Sequence, residues 1–273
     1  MSEGKDINQH VLTDDTLGTH FADAYRALRA NINFSRIDQP VRTILVASAG
    51  PGEGKTTTAI NLGIVMAQSS ASVLIVDTDF RKPSMHEYLR TYVTGHGPGI
   101  GLSDVICGAA SVDQVMLATP FPRLGLITAG LAAPNPSELL ASERMHSILK
   151  ELQERADFVV LDSPACLNYA DAFLLARIAD GVLYVVRAGH QDKSSQRRVQ
   201  KQLQQAKAWM LGVVFNEVEM DEAPSASLSA NGRANGHRRR RLLGRRKQRD
   251  ERDLLTPEEV TVPRWQGLSG RRK

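Results

Sequence analysis

The chain of 273 residues is 42% hydrophobic and 23% charged, enough apolar material for one sizeable α/β core without demanding a second domain. Its two cysteines, Cys107 and Cys166, exclude a disulfide framework and show no CxxC spacing for a metal, which fits a reducing compartment. The formal net charge of +4 hides a division: residues 231–273 hold 14 Lys+Arg against 5 Asp+Glu, a net of +9, while residues 1–230 hold 20 against 25, a net of −5.

In chain order, the polar start MSEGKDINQHVLTDD is too acidic for a signal peptide. No apolar run approaches the roughly 18 residues of a membrane-spanning helix, so a soluble protein is expected. A flexible N-terminus over 1–17 leads into a folded domain over 18–222, and a disordered basic tail over 223–273 closes the chain. Short continuous apolar runs predict strands at 43–48, 72–77, 124–128, 157–162, 181–187 and 211–215, as expected of parallel strands covered on both faces. Helical patterns at 22–34, 57–68, 101–108, 142–156, 169–179 and 194–208 alternate with them. The alternation predicts an α/β fold with a doubly wound, mainly parallel sheet. Ligands of such sheets bind beyond the carboxyl ends of the strands, where the polar motifs fall.

After the first strand comes Ala49-Gly50-Pro51-Gly52-Glu53-Gly54-Lys55-Thr56. It fits the P-loop pattern G-x-x-x-x-G-K-[ST], with Ala in place of the first Gly. Glycines let backbone N–H groups turn inward around an anion, and the helix beginning near Lys55 adds its unpaired N–H groups and positive dipole end. Lys55 is placed to meet the β- and γ-phosphates of ATP and the Thr56 hydroxyl to ligate Mg²⁺, and Thr57 completes the nucleotide-binding stretch. A Gly-rich turn with an incidental lysine is the plain alternative; the strand-loop-helix setting argues against it.

At the end of the second strand, Asp77 and Asp79 stand at i and i+2, a spacing that points both carboxylates to one side of an extended chain. One can hold Mg²⁺ through water and the other can accept a proton from an attacking hydroxyl, with Arg81 offsetting their repulsion. A solvated strand end is the alternative. Asp162 follows the apolar run FVVL and is the expected second acid of a P-loop site, reaching the Mg²⁺ shell. Asn216, after the last strand, is suitably polar to read an adenine edge, though Asn at a strand end is also ordinary turn chemistry.

The segments DAYRALRANINF, SAGPGEGKTTTAINLG, VLIVDTDFRKPSMH, GLSDVICGAASVDQVM, NPSELLASERM and FVVLDSPA, in that order, resemble the bacterial tyrosine kinases of the capsular and exopolysaccharide type over residues 18–217. The resemblance implies a P-loop fold related to the septum-positioning and partitioning ATPases, making 18–222 a tyrosine-kinase-like domain. It also implies ATP and Mg²⁺ held by Lys55, Thr56, Asp79 and Asp162, with Asp77 and Asp79 activating a protein tyrosine. A homo-oligomeric ring is implied too, for which the family's E-x-x-R-x-x-R helix reads Asp23, Arg26 and Arg29 here. A membrane-embedded polysaccharide co-polymerase is implied as recruiter and activator, placing the protein in the cytoplasm against the inner face of the plasma membrane. The chain departs from the pattern in its tyrosines: Tyr25, Tyr88, Tyr92, Tyr169 and Tyr184 all precede the tail, where the family carries a tyrosine cluster. Two rival readings stand beside the kinase. One is a partitioning-type ATPase, which usually has a further lysine early in the P-loop, absent from Ser48 to Pro51. The other is an ATP-binding adaptor of a polysaccharide co-polymerase that transfers no phosphate. For the tail, a plain solvated segment, contact with an anionic membrane or polymer, and nonspecific nucleic-acid binding all stay open.

Overall fold

A computed structural model describes residues 11–13, 16–35, 40–89, 99–131, 133–189 and 193–218; the basic tail 223–273 and Tyr92 lie outside the described residues. In chain order the elements are α1 (His20–Phe34), β1 (Thr43–Ser48), α2 (Lys55–Gln68), β2 (Val73–Asp77), α3 (Met85–Leu89), α4 (Leu102–Cys107), α5 (Val112–Val115) and β3 (Met116–Ala118). They continue with β4 (Leu124–Ile127), α6 (Pro136–Leu140), α7 (Glu143–Arg155), β5 (Phe158–Asp162), α8 (Asp171–Ala176), β6 (Gly181–Arg187), α9 (Lys193–Gln205) and β7 (Met210–Asn216).

The strands form one sheet in the order β3-β4-β2-β5-β1-β6-β7. Every pairing is parallel except that of the short edge strand β3 with β4. Each residue of β1 and β2 is buried, because helices cover both faces and alternate side chains must enter opposite cores. Leu45 and Ala47 pack on the side of α4, α7 and α8, and Ile44 and Val46 on the side of α1 and α2. The apolar stripe of α1, carried by Ala22, Tyr25 and Ile32, closes this second core.

Two expectations change. Val11 and Leu12, assigned to the flexible stretch 1–17, are buried in the second core, and the Leu12 N–H donates to Asn61 Oδ1 at 2.8 Å. Strand β3 and the short helices α3, α5 and α6 did not stand out in the sequence. β3 spans three residues with Met116 and Ala118 exposed, so neither an apolar run nor an alternation marks it. Among the described residues no helix is long and apolar enough to cross a membrane.

Candidate nucleotide and phosphotransfer site

The central position of β1 sets the site. Its two neighbours are β5 and β6, and β2 lies beyond β5, so the loops after β1, β5 and β2 meet at one end of the sheet. The loop after β1 curls back on itself. Gly52 and Gly54 take φ of +74° and +94°, values that a side chain resists. The Gly50 N–H donates to Glu53 Oε1 at 2.6 Å. A Cβ on Gly54 would land on the Asn216 amide, so this glycine is required both for its backbone and for its neighbour. Lys55 is 8% exposed and its Nζ donates to Ser48 Oγ at 2.9 Å and to Gly50 O at 3.3 Å. The ammonium therefore sits inside the curl of the loop, the position from which a P-loop lysine addresses phosphate.

Asp162 ends β5 and is 2% exposed. Thr56 Oγ1 donates to its Oδ2 at 2.6 Å, while Oδ1 is buried without a hydrogen-bond partner. Burial pushes the Asp162 carboxyl up to about 6, against the Thr56 hydrogen bond and the Lys55 charge, with the Asp79 charge adding to the rise. Asp77 pairs in register with Asp162 across β2 and β5. Burial first, and then the Asp162 charge, hold Asp77 well above the usual carboxylate range. The three acids of the sequence reading are thus brought into one electrostatic cluster, whose mutual repulsion either protonation or a bound cation relieves.

Within the cluster the roles differ from a simple facing pair. The strand ends at Asp77, whose Oδ1 accepts the Asp79 N–H at 3.0 Å and whose Oδ2 accepts the Met85 N–H at 3.3 Å. Asp77 thus ties the following loop and the start of α3 to the strand end. Asp79, half-buried, accepts the N–H groups of Arg81 at 3.1 Å and Lys82 at 2.9 Å through Oδ1. Arg81, expected from the sequence to offset the Asp77 and Asp79 charges, has Asp171 as its main partner, with Nε 2.7 Å from Oδ2 in a planar bidentate pairing; of the two expected acids only Asp79 is felt at the guanidinium, as a lesser influence.

Asn216 arrives beside the P-loop from the last strand, and its Nδ2 donates to Glu53 O at 3.0 Å. Its amide NH₂ thus braces the loop backbone rather than standing clear for a base. Tyr88, on α3, lies beside Thr57 of the P-loop helix, a proximity invisible in the sequence because it joins segments outside any common motif. Cys166, behind the loop, has its thiol pushed up to about 12 by burial, which makes it an inert core residue. On α1, Arg26 Nη1 pairs with Asp23 Oδ1 at 2.7 Å and Nη2 donates to Leu17 O at 2.6 Å. Arg29 Nη1 donates to Val65 O at 2.7 Å. All three side chains of the expected oligomer contact therefore have partners within the protomer.

The residues fit a magnesium nucleotide. Among the described residues no group of three or more His, Cys, Asp or Glu side chains encloses a metal. Mg²⁺ does not ask for one, since it keeps several waters and takes one or two carboxylates together with substrate phosphates. The unpartnered Asp162 Oδ1 and the adjacent Thr56 hydroxyl supply that minimal set. A cavity of about 640 Å³ lined by Val41, Arg42, Ser70 and Asp157 lies at the amino ends of the strands, the wrong end of the sheet for this chemistry.

A parallel sheet with a P-loop after the central strand and an acid ending its neighbour defines a P-loop nucleotide-binding protein, and a family model described as an AAA domain matches residues 41–209. Tyrosine-protein kinase YwqD of Bacillus subtilis (strain 168) is 35% identical over 195 residues, which cover 71% of this chain and 80% of the relative. The kinase domain of the Escherichia coli tyrosine kinase ETK superposes with a TM-score of 0.71 at 27% identity, over 82% of this chain and 83% of that domain. The chain belongs to this family of bacterial tyrosine-protein kinases built on the AAA domain. The septum site-determining protein MinD of Pyrococcus horikoshii, complexed with Mg-ADP, matches with a TM-score of 0.54 at 24% identity, over 68% of this chain and 75% of that one, a likeness of fold alone.

Proposed function

We propose that the chain transfers the γ-phosphoryl group of ATP to protein tyrosines and thereby regulates assembly or export of a cell-surface polysaccharide. The observation that carries the phosphotransfer is the convergence of Lys55, Thr56 and the unpartnered Oδ1 of Asp162. Lys55 and the loop N–H groups bind and orient the phosphates, Thr56 and Asp162 hold the metal, and Asp79 stands at the mouth of the acid cluster to take the tyrosine proton. Mg²⁺, when bound, supplies neutralisation of the phosphate charge. A partitioning-type ATPase is disfavoured by the absence of a lysine between Ser48 and Pro51.

The polysaccharide role, the membrane-embedded co-polymerase as recruiter and activator, and the place at the inner face of the plasma membrane follow from the family resemblance. Ring assembly through Asp23, Arg26 and Arg29 does too, and it asks their intramolecular hydrogen bonds to be exchanged for contacts with a neighbouring subunit. The test is an anti-phosphotyrosine blot after incubation with ATP and Mg²⁺, with and without the activating domain of a membrane partner encoded nearby. Phosphotyrosine that disappears in Lys55→Met supports the kinase. Its absence in both conditions favours the adaptor.

A further inference from the structure

Asp171 lies outside every motif that drew attention in the sequence, yet it is 1% exposed and charged. Burying a carboxylate is expensive unless it is paired and hydrogen-bonded. Here its Oδ2 accepts Arg81 Nε at 2.7 Å, and its Oδ1 accepts Arg81 Nη2 at 3.2 Å and Ser137 Oγ at 2.5 Å. Arg81 Nη2 also donates to Ser137 Oγ at 2.9 Å. The outer face of the guanidinium is covered by the Tyr169 ring, whose centroid is 4.1 Å away. Two segments far from it in the chain are drawn onto Asp171, the first residue of α8: the DTDFRKP stretch at the end of β2, through Arg81, and the NPSELL segment at α6, through Ser137.

From these contacts we infer that Asp171 is a positioning residue for phosphoryl transfer, acting through Arg81 to fix the turn that carries Asp79. The connection is short. Asp171 holds the Arg81 side chain, and the Arg81 N–H is in turn donated to Asp79 Oδ1 at 3.1 Å. Asp79 is the cluster acid nearest solvent, and its charge bears on Asp162, so its placement decides how the acid cluster meets the acceptor. An ion pair whose arginine is solvent-exposed is a modest source of stability. A planar, bidentate pair is a good source of fixed geometry, and lysine cannot reproduce it. Reaction rates are sensitive to such placement, a shift of about 1 Å being able to cost ~10²-fold.

The inference rests on the phosphotransfer reading, and the experiment keeps the two apart. In the full chain, ADP release is measured at steady state for the wild type, Asp171→Asn, Arg81→Gln, Arg81→Lys and the double variant Arg81→Gln/Asp171→Asn. Affinity for a fluorescent ADP analogue in Mg²⁺ is titrated in parallel. Each single variant is expected to lower kcat at least about tenfold with nucleotide affinity unchanged, and the double variant to fall no further than the worse single one. Arg81→Lys keeps a cation beside Asp171 and so tests placement even where the other variants fold poorly; it too is expected to lose kcat. Unchanged kcat in Arg81→Lys, additive losses, or kcat losses matched by losses of affinity overturn the inference. ADP release is produced whether the phosphoryl group reaches tyrosine or water. With the activating domain of the membrane partner present, ADP without phosphotyrosine therefore overturns the kinase reading alone, whereas a wild type that releases no ADP with or without that domain overturns both.

Discussion

Thr56 Oγ1 donates to Asp162 Oδ2 at 2.6 Å across 106 positions of sequence, joining the first turn of the P-loop helix to the acid at the end of the neighbouring strand. The hydrogen bond satisfies one carboxylate oxygen and leaves the other, Oδ1, buried without a partner. An arrangement of this kind is costly for the protein alone and becomes favourable when a cation arrives.

That cost has a measurable sign. The Asp162 carboxyl sits at about 6 against an ordinary 3.8, chiefly through burial. Between those values the native protein keeps a proton that the unfolded chain has released, so stability falls as pH rises through the window. At neutral pH the penalty is of the order of 1 to 3 kcal/mol. Asp162→Asn is therefore expected to raise the melting temperature of the nucleotide-free protein at pH 7.5, with the gain shrinking toward pH 4.5, while Mg²⁺-dependent nucleotide binding is lost. In the wild type, Mg²⁺ affinity should climb with pH up to about 6 and then level off, as calorimetric titration at several pH values can show.

Lys55→Met keeps the apolar stem of the side chain and removes the charge. Ser48 Oγ retains its own hydrogen bond to Gly50 O at 2.8 Å, so the loop has no reason to collapse. Phosphotransfer should drop by a factor on the order of 10² or more, with the circular dichroism spectrum unchanged and melting still cooperative, though at a lower temperature at neutral pH because Asp162 loses a neighbouring positive charge. Wild-type turnover by this variant would remove Lys55 from the chemistry.

How far the site could be read in advance depended on how local its chemistry is. Ala49 to Thr56 announce a P-loop because the glycines and the lysine act within one short segment, and Asp77, Asp79 and Asp162 are marked by the apolar strands they end. The continuous runs behind β1, β2, β5 and β6 gave the sheet for the same reason. The main partner of Arg81, Asp171, was not legible because it is 90 residues away, and no periodicity records a contact of that range. Leu12 falls in the stretch expected to be flexible because a lone Val-Leu pair in polar surroundings carries no pattern, although its side chain is buried and its N–H donates to Asn61 Oδ1.

The two acids Asp77, which ends β2, and Asp79, just after it, should separate in kinetics. Asp79→Asn removes the solvent-side acid while its remaining side-chain oxygen can still accept the Arg81 and Lys82 N–H groups. Phosphate transfer should fall far more than ATP affinity. Asp77→Asn also exchanges one of two backbone acceptors for an amide donor facing the Asp79 or Met85 N–H, so it should in addition lower the melting temperature. Nucleotide affinity, transfer rate and thermal melting measured on both variants decide the division, and equal losses of affinity and transfer in both would give these residues a structural role only.

Gly54→Ala meets two obstacles, its φ of +94° and the Asn216 amide. The single variant should bind ATP weakly. Gly54→Ala/Asn216→Ala relieves the collision but not the backbone strain, which is worth roughly 1 to 2 kcal/mol for an L-residue in this region. Partial recovery of ATP affinity in the double variant is therefore expected. Full recovery would show that the backbone conformation is not needed, and no recovery that Asn216 never blocked the site.

The basic tail lies outside the described residues, but its charge can be tested. All five tyrosines lie at or before Tyr184, so within residues 223–273 there is none whose phosphorylation would weaken the attraction of this segment for an anionic surface. Among the described tyrosines, Tyr25 and Tyr184 are buried, Tyr88 is half-buried and Tyr169 is 40% exposed, so Tyr169 is the most accessible of them to phosphorylation. With a net of +9 over residues 231–273, each Lys or Arg close to an anionic membrane contributes on the order of 1 kcal/mol before screening. The attraction reaches about 10 Å at 0.1 M salt and shortens as salt rises. Deleting 231–273 should leave ATP binding intact, abolish salt-sensitive co-sedimentation with vesicles containing anionic lipid, and leave phosphotyrosine on the core unchanged. Equal vesicle binding by the full and truncated chains at low salt would assign the tail no membrane role, and loss of core phosphotyrosine on truncation would tie the tail to catalysis instead.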